Sequence, residues 1–143
     1  MLIEQIIRTK GTSVTTIRAS DTLSSAAMLL DEAKIGAVVA VTESGDVIGV
    51  LSERDIVRQV AREGARALDM VVADAMTRGV ITAEPSESLD TCLARMTDRR
   101  IRHLPVIRDG GLAGIISIGD LVKWKIQAAM AEAEAMTDYI KGG

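Results

Sequence analysis

Aromatic side chains are almost missing from this sequence. It has no phenylalanine, and Trp124 and Tyr139 are the only Trp or Tyr residues. Because 48% of the 143 residues are still apolar, we expect an aliphatic core in which methionine fills the gaps. The lack of aromatic rings argues against an interface that stacks single-stranded bases. The net charge of −3 argues against a basic nucleic-acid-binding surface. The sequence therefore predicts no nucleic-acid partner.

Cysteine and histidine occur once each, as Cys92 and His103. One cysteine cannot form an internal disulfide, so we expect an intracellular, cytoplasmic protein with a packed core thiol. One His and one Cys cannot make a zinc site, and no Ser/His/Asp set lies in a nucleophile-elbow context. We therefore predict no metal, no catalytic cofactor and no enzyme activity.

Membrane and export signals are also lacking. No apolar run reaches the ~18 residues that suggest a membrane-spanning helix. The N-terminal stretch carries Glu4 early and has no small-residue cleavage site, so it matches a signal peptide poorly. We therefore expect no membrane partner.

What the sequence does have is an internal repeat. Residues 35–58, IGAVVAVTESGDVIGVLSERDIVR, recur as residues 101–123, IRHLPVIRDGGLAGIISIGDLVK. Each copy predicts a strand, a glycine-containing turn, a second strand and a helix. The second strand of each copy ends in Gly-x-x-Ser-x-x-Asp. These motif residues are Gly49, Ser52 and Asp55, then Gly114, Ser117 and Asp120.

The stretches before the two copies also match. Residues 14–17 and 80–82 predict short strands, and each leads into a helix with apolar residues at i, i+3, i+4 and i+7. Two polar residues compete as the N-cap of each helix. The candidates are Asp21 or Thr22 in the first copy and Ser86 or Ser88 in the second.

The repeated unit is thus β-α-β-β-α. It predicts a mixed α/β (α+β) fold of two repeats, packed about a pseudo-two-fold axis so that each small sheet covers the other. We assign residues 1–70 to the first repeat with an N-terminal helix and a connector, and 71–143 to the second repeat with a C-terminal helix. Nothing in the first copy matches the end of that helix, so it could contact a second subunit or pack on its own domain.

The segments GVLSERD, GIISIGD and RIRHLPVI resemble the CBS domain, the cystathionine-β-synthase repeat. Over residues 12–127 the chain is similar to a tandem CBS pair, the Bateman module. The resemblance implies a small free-standing regulator that binds an adenine nucleotide in clefts between paired repeats. AMP, ADP or ATP is the expected ligand, with NAD or S-adenosylmethionine as alternatives. The resemblance also implies a homodimer in which the four repeats form a disc. A second protein, regulated by this module, is a further implied partner.

The resemblance also implies roles for individual residues. The motif aspartates, Asp55 and Asp120, would hold the ribose hydroxyls. Residues near the helix starts, where the helix dipole attracts anions, would hold phosphate: Ser52, Arg54, Arg102, His103 and Ser117. Strand residues would contact the adenine: Thr16, Ala37, Val38, Thr82, Leu104 and Pro105.

Simpler interpretations of these residues stay open. Ser-x-x-Asp is also a helix capping box, which needs no ligand. His103 could be a packed side chain with its hydrogen bonds satisfied, and the clefts could be vestigial in a module that only binds other proteins. The two copies also differ, because Gly119 stands where the first copy has Arg54, and Arg102 has no basic counterpart. We therefore predict one good nucleotide site and one weak or empty one.

Overall fold

The computed structural model describes residues 1–11 and 14–142 and has a mixed α+β fold, as predicted. Its residues form two compact units. Ser13–Ile81 make the first-repeat unit, and Met1–Thr12 together with Thr82–Gly143 make the second-repeat unit. The division of the sequence into repeats at residue 70 stays a prediction. The compact units group the segments that flank the repeats differently, since the N-terminal helix joins the second repeat.

The first-repeat unit follows the predicted β-α-β-β-α order. Its sheet has the order β1-β2-β3, with β1 parallel and β3 antiparallel to β2. A 3₁₀ turn and one short helix complete the unit. The elements are β1 Thr16–Arg18, α2 Leu23–Ala33, β2 Ala37–Val41, β3 Val47–Ser52, α3 Glu53–Glu63, the 3₁₀ turn Gly64–Asp69 and α4 Val72–Ala75.

The helix α2 begins at one of the two predicted caps. The Thr22 hydroxyl accepts the Ser25 N–H at 3.1 Å, which satisfies one of the amides that a helix start leaves unpaired. The apolar face of α2, with Leu23 and Leu30, packs with Val38 of β2 in one buried cluster. The strand predicted at 14–17 begins two residues later in the structure, because residues 16–18 are the ones that pair with β2.

A tight contact joins the end of the first-repeat unit to its sheet. Thr77, just after α4, exchanges two backbone hydrogen bonds with Val50 of β3, at 2.9 and 3.1 Å. The side chain of Met76 then covers the motif glycine Gly49, where an added Cβ would lie 2.4 Å from the methionine sulfur. The glycine of the first motif therefore makes room for the segment that contains Met76 and Thr77.

The second-repeat unit contains a two-stranded antiparallel sheet, β4-β5. The strand predicted at 80–82 is wrong: in the described chain, pairing there is reduced to a single parallel bridge between Ala83 and Val106. A turn closed by Glu87 N–H and Glu84 O follows at once and contains Pro85, which has no N–H to extend a ladder. The elements are α1 Ile3–Lys10, α5 Leu89–Arg99, β4 His103–Arg108, β5 Gly111–Ser117 and α6 Ile118–Gly142.

The N-terminal helix α1 is built into the second-repeat unit. Its residues Ile3, Ile6 and Ile7 are buried. The Ile3 N–H donates to Glu87 O at 2.9 Å. Ile7 lies over Gly114, where an added Cβ would be 2.6 Å from the isoleucine Cδ1. Both motif glycines therefore accommodate an apolar side chain from a segment that precedes a repeat.

The C-terminal helix α6 starts inside its unit and then leaves it. Leu121 is buried, and Lys125 forms an ion pair with Asp90 of α5 at 2.6 Å. From residue 126 to residue 142 the side chains are exposed. A search of the described residues finds no helix capable of crossing a membrane.

Candidate functional site

The two Gly-x-x-Ser-x-x-Asp motifs lie where a strand turns directly into a helix, β3 into α3 and β5 into α6. In the first, the Asp55 carboxylate accepts the Ser52 N–H at 2.9 Å and the Ser52 hydroxyl accepts the Asp55 N–H at 3.2 Å. In the second, the same pair of bonds joins Ser117 and Asp120 at 2.8 and 3.0 Å. The capping-box interpretation is therefore correct for both copies, and it leaves only part of each carboxylate for a ligand.

The first backbone amides of α3 and of α6 show how much anion-binding capacity each helix start retains. The Glu53 N–H donates to Gly36 O at 2.9 Å, and the Ile118 N–H donates to Arg102 O at 2.8 Å. Since the third amide is capped by serine, only the second amide of each helix, at Arg54 or Gly119, has no acceptor among the described residues. Each helix start thus offers one N–H and the dipole to an anion.

Both oxygens of the first carboxylate, Asp55, already accept a hydrogen bond within the protein. It is the one buried charged residue of the described chain, with 6% of its surface exposed. One oxygen accepts the Ser52 N–H, and the other accepts Arg58 Nη1 at 3.2 Å. A ribose hydroxyl could bind this carboxylate only as an additional partner or after Arg58 had moved.

The second carboxylate, Asp120, has a different environment. Its Oδ2 accepts both the Ser117 N–H and the Nζ of Lys10, the latter at 2.7 Å. Lys10 Nζ also donates to Ile115 O at 2.9 Å. Oδ1 accepts no hydrogen bond from the described residues, and a quarter of the side chain is exposed (25%). Asp120 therefore keeps one oxygen that can accept a hydroxyl.

The charge on Asp120 is also secured. Burial acts to raise the pKa of this carboxyl, but the Lys10 ammonium and the Ser117 N–H outweigh it, so the pKa lies below its ordinary value. Asp120 is thus an anionic acceptor at neutral pH, the state that best accepts a hydrogen bond from a hydroxyl.

The predicted phosphate residues cluster near these helix starts. Arg54 is exposed on the first turn of α3, and Arg102 is exposed beside the start of α6. His103 opens β4 and lies opposite Ser117 in the strand register. Both motif serine hydroxyls accept a helix amide, which leaves their O–H protons to donate. Their phosphate-binding role stays a prediction.

The predicted adenine residues lie on the adjoining strands. Ala37 and Val38 are buried in β2, and Leu104 and Pro105 are buried in β4. Pro105 has no N–H, and its carbonyl already accepts the Ala83 N–H at 2.9 Å. Two threonines complete the predicted set. Thr16 is exposed at the start of β1 and Thr82 is half-buried. Their contact with a base also stays a prediction.

Two residues at the site were missed by the sequence reasoning. Arg58 carries a detectable signal, because an arginine three positions after Asp55 faces it on a helix. Lys10 carries none, since it lies 110 residues from Asp120 in a segment outside the repeat. Only the packing of α1 on the second-repeat unit brings it to the motif.

Arg95 fixes the segment that holds Thr82. Its Nη1 donates to Thr82 O at 3.0 Å and to Glu87 Oε1 at 2.9 Å, and its Nη2 pairs with Glu87 Oε2. The hydrogen bond from Arg95 lowers the pKa of Glu87 below its ordinary value, against the effect of burial. The pair ties α5 to the turn that precedes it.

This pair predicts a pH-dependent contribution to stability. A lowered pKa means that Glu87 stabilises the fold above its unfolded pKa, and that this contribution is lost as the pH falls through the folded value. We expect Glu87→Gln to cost about 0.5–1 kcal/mol at pH 7, discounted for partial exposure, and much less at pH 3. Urea unfolding at both pH values would measure it, with Glu84→Gln as the control. An equal loss at both pH values would contradict the ion-pair explanation.

The remaining predicted absences concern metal and thiol chemistry. No cluster of three or more His, Cys, Asp or Glu side chains suited to a metal ion occurs within residues 1–11 and 14–142. Cys92 is buried, and burial raises the pKa of its thiol. The prediction of a packed core thiol is confirmed.

Comparison with protein families gives a match over most of the chain. The model of the CBS domain matches twice, over residues 3–62 and 72–126. The CBS domain-containing protein CBSX3, mitochondrial, of Arabidopsis thaliana is 32% identical over 99% of this chain and 72% of its own length. The matched sequence thus extends beyond the motifs themselves.

Solved structures agree with this comparison. The CBS-domain containing protein ATU1752 from Agrobacterium tumefaciens has a TM-score of 0.84 at 40% identity, over 87% of this chain and 99% of that one. The CBS domain pair of protein MJ0100, in complex with 5′-methylthioadenosine and S-adenosyl-L-methionine, has a TM-score of 0.80 at 24% identity, over 90% and 98%. The second likeness concerns the fold alone.

Proposed function

Since this chain belongs to the CBS domain family, we propose that it binds an adenine nucleotide and acts as a regulatory module. The observation that carries this proposal is the environment of Asp120. An ionised carboxylate at a helix start keeps one oxygen that no described residue hydrogen-bonds, next to a serine hydroxyl and the exposed Arg102. The relatives described above are named as CBS-domain proteins, and none of those names gives an enzyme activity, in agreement with the predicted lack of catalysis.

The ligand class follows from what such a site can recognise. Asp120 Oδ1 suits a ribose hydroxyl, and the helix start of α6 suits a phosphate. The structure of MJ0100 contains two ligands that share an adenosyl group, which supports adenosine recognition as the common element. We take AMP, ADP or ATP as the expected ligand, with NAD and S-adenosylmethionine as the alternatives to test.

The two motifs are not equivalent in this proposal. Within residues 1–11 and 14–142, Asp120 has one oxygen without a hydrogen bond, whereas both oxygens of Asp55 accept one. Arg54 offers the first motif a cation, but the ribose contact there competes with Arg58. We therefore assign the stronger site to the second-repeat unit and the weak or empty one to the first.

A regulatory effect needs a difference in affinity between two arrangements of the protein. A nucleotide can shift the packing of repeats or subunits only by as much as it favours one arrangement over the other. The proposed regulation therefore predicts that nucleotide affinity and subunit association depend on each other.

The proposal predicts a specific loss of binding in Asp120→Asn. Loss of a hydrogen bond to a charged acceptor costs about 1.5–3 kcal/mol, which is about 10- to 100-fold in affinity. Calorimetric titration with AMP should show this weakening, whereas Asp55→Asn should change the strong site less than threefold. The amide of asparagine can still accept the Ser117 N–H, so the cap is kept. Two equivalent sites in the wild type would contradict the assignment.

A second candidate function is a structural module that binds proteins and has vestigial clefts. The capping boxes support it, because each motif already satisfies its own backbone without a ligand. Thermal unfolding with millimolar AMP, ADP, ATP, NAD and S-adenosylmethionine separates the two. Stabilisation by several degrees favours nucleotide binding, and no stabilisation by any ligand favours the interaction module.

The homodimer has a candidate contact on α6. We define the α6 seam as the residues whose spacing alternates between four and three, the pattern of a helix pair. They are Val122, Ile126, Ala129, Ala133, Met136 and Ile140. All are exposed, with Ile126 55%, Met136 61% and Ile140 73% accessible. The small central alanines allow two helices to approach closely.

Charge along α6 favours an antiparallel pair of copies. Its first half carries Lys123 and Lys125 besides the motif residue Asp120, and its second half carries Glu132, Glu134 and Asp138 besides Lys141 near the end, so the halves keep opposite net charge. An antiparallel partner brings the basic half of one helix against the acidic half of the other, whereas a parallel partner opposes like charges. We assign the α6 seam to a second copy of this chain. The four-repeat disc implied by the resemblance is a wider arrangement in which this contact would take part.

A further inference from the structure

The Lys10 side chain is the feature of the site that the proposed function does not yet use. It ends α1, which lies outside the repeated sequence, and it reaches Asp120 at 2.7 Å. We propose that Lys10 is a phosphate-binding cation of the Asp120 site and that it selects phosphorylated adenosine ligands over neutral or cationic ones. This inference rests on the proposed function, and it assigns the residue that distinguishes among its ligands.

The position of Lys10 is built into the fold. The buried residues Ile6 and Ile7 hold α1 against the second-repeat unit, with Ile7 seated on Gly114. The next turn of the helix delivers the Lys10 ammonium to Ile115 O and to Asp120. A surface lysine without such support would lose more conformational entropy on binding a ligand.

The ammonium retains capacity for a ligand. Lysine Nζ has three N–H donors, and two of them point to Ile115 O and Asp120 Oδ2. The side chain is partly exposed (39%). A ribose hydroxyl on Asp120 Oδ1 would place the 5′-phosphate one sugar ring away, within the range of a flexible four-carbon side chain.

The two motifs differ in the cation that lies closest to the helix start. The first motif has Arg54 on its helix turn, but the second has Gly119 there. Asp55 pairs with Arg58 of its own helix, whereas Asp120 pairs with a residue of α1. Lys10 therefore places a positive charge directly against the second motif, in addition to the exposed Arg102 that precedes β4.

The charge of Lys10 predicts which ligands are selected. A phosphate at the site can accept the remaining N–H of the ammonium, so AMP gains a charge-assisted hydrogen bond that adenosine cannot make. S-adenosylmethionine places a sulfonium cation where AMP has its phosphate, and two positive charges at that distance repel. We therefore expect AMP to bind more tightly than adenosine, and adenosine more tightly than S-adenosylmethionine.

Calorimetric titration of the 143-residue chain with AMP and with adenosine tests this inference. Lys10→Met should weaken AMP about tenfold or more, the effect of losing a charged hydrogen bond, and change adenosine less than threefold. Lys10→Arg, which keeps the charge, should retain most of the AMP affinity. The control is Arg8→Met, which removes an exposed cation two residues away on α1 and should leave both ligands unchanged.

Each alternative outcome overturns a distinct statement. An equal loss for AMP and adenosine in Lys10→Met would mean that Lys10 only positions Asp120, which refutes the phosphate role. Unchanged AMP affinity in a folded Lys10→Met protein refutes any role. If the wild type binds AMP with the Asp120 dependence described above, the proposed function survives either result. A wild type that binds neither ligand refutes both.

Discussion

Gly49→Ala is expected to destabilise the protein by about 1–2 kcal/mol, because the new methyl group has no room. A Cβ at this position would lie 2.4 Å from Met76 Sδ and 3.1 Å from Thr77 O. The sulfur could rotate away, but the carbonyl belongs to the bridge between Val50 and Thr77. The gain from stiffening the unfolded chain, about 0.4–1 kcal/mol, is smaller than this clash.

Two other glycines of the motifs serve as matched controls for Gly49→Ala. Gly114→Ala meets mainly the terminal methyl of Ile7, which can turn aside, so its cost should be smaller. Gly119→Ala has only Ser117 Oγ at 3.6 Å and lies in the first turn of α6. It should stabilise by about 0.5–1 kcal/mol, the difference in helix propensity. Urea unfolding midpoints at unchanged m-value would give the order, and equal effects at all three glycines would refute the packing argument.

The glycine series bears on how the motif should be understood. The first glycine makes room for a flanking segment, and the Ser and Asp cap the next helix. All three residues that define Gly-x-x-Ser-x-x-Asp thus have a structural role that needs no ligand. A ligand at the second motif can use only the groups that these contacts leave over, which are one carboxylate oxygen of Asp120 and the helix amide of Gly119.

Most of the secondary structure could be predicted from local patterns. The helix α2 begins at Thr22, one of two predicted caps, because a threonine hydroxyl can satisfy a helix amide. The helix α5 likewise begins after Ser88. The strand at 80–82 failed because β-branched residues predict only a tendency to pair. Instead, the chain after residue 83 forms the turn Glu84–Glu87, whose groups hydrogen-bond to Arg95 and to the backbone of α1.

The grouping of the segments could not be predicted in the same way. The pattern of residues 2–8 indicates an amphipathic helix but does not say which apolar surface covers it. That choice depends on the fit of Ile7 into the space above Gly114, 107 residues later. Nothing within the first repeat encodes this contact, so the sequence assignment of α1 followed proximity along the chain.

For the candidate site, the sequence predicted the motif residues but not all of their contacts. The two aspartates and serines were found from the repeat, and the capping box was a stated alternative. The contacts that decide between the two aspartates, from Arg58 and Lys10, depend on side-chain geometry and on long-range packing. The predicted inequality of the two sites therefore gains a physical basis that composition at Arg54 and Gly119 alone did not supply.

Ile126→Glu is expected to convert a homodimer into monomers. In an antiparallel pair centred on the small residues of the α6 seam, Ile126 faces the partner's Met136, so the substitution buries an unpaired carboxylate. The two-fold arrangement applies this cost twice in each dimer. Burial of an uncompensated polar group costs at least ~1–3 kcal/mol, so the dissociation constant should rise by about 100-fold or more.

Sedimentation velocity at micromolar concentration would measure this change, with circular dichroism to check that the fold is kept. Because Ile126 is 55% exposed within one chain, the monomer itself should lose little stability, so dissociation cannot be attributed to unfolding. Met28→Glu is the matched control, since Met28 is 61% exposed and belongs to α2 rather than to the seam, and the variant should leave the dimer intact. A dimer that survives Ile126→Glu would place subunit contact elsewhere. Dissociation by both variants would indicate that exposed apolar side chains associate without the seam's specificity.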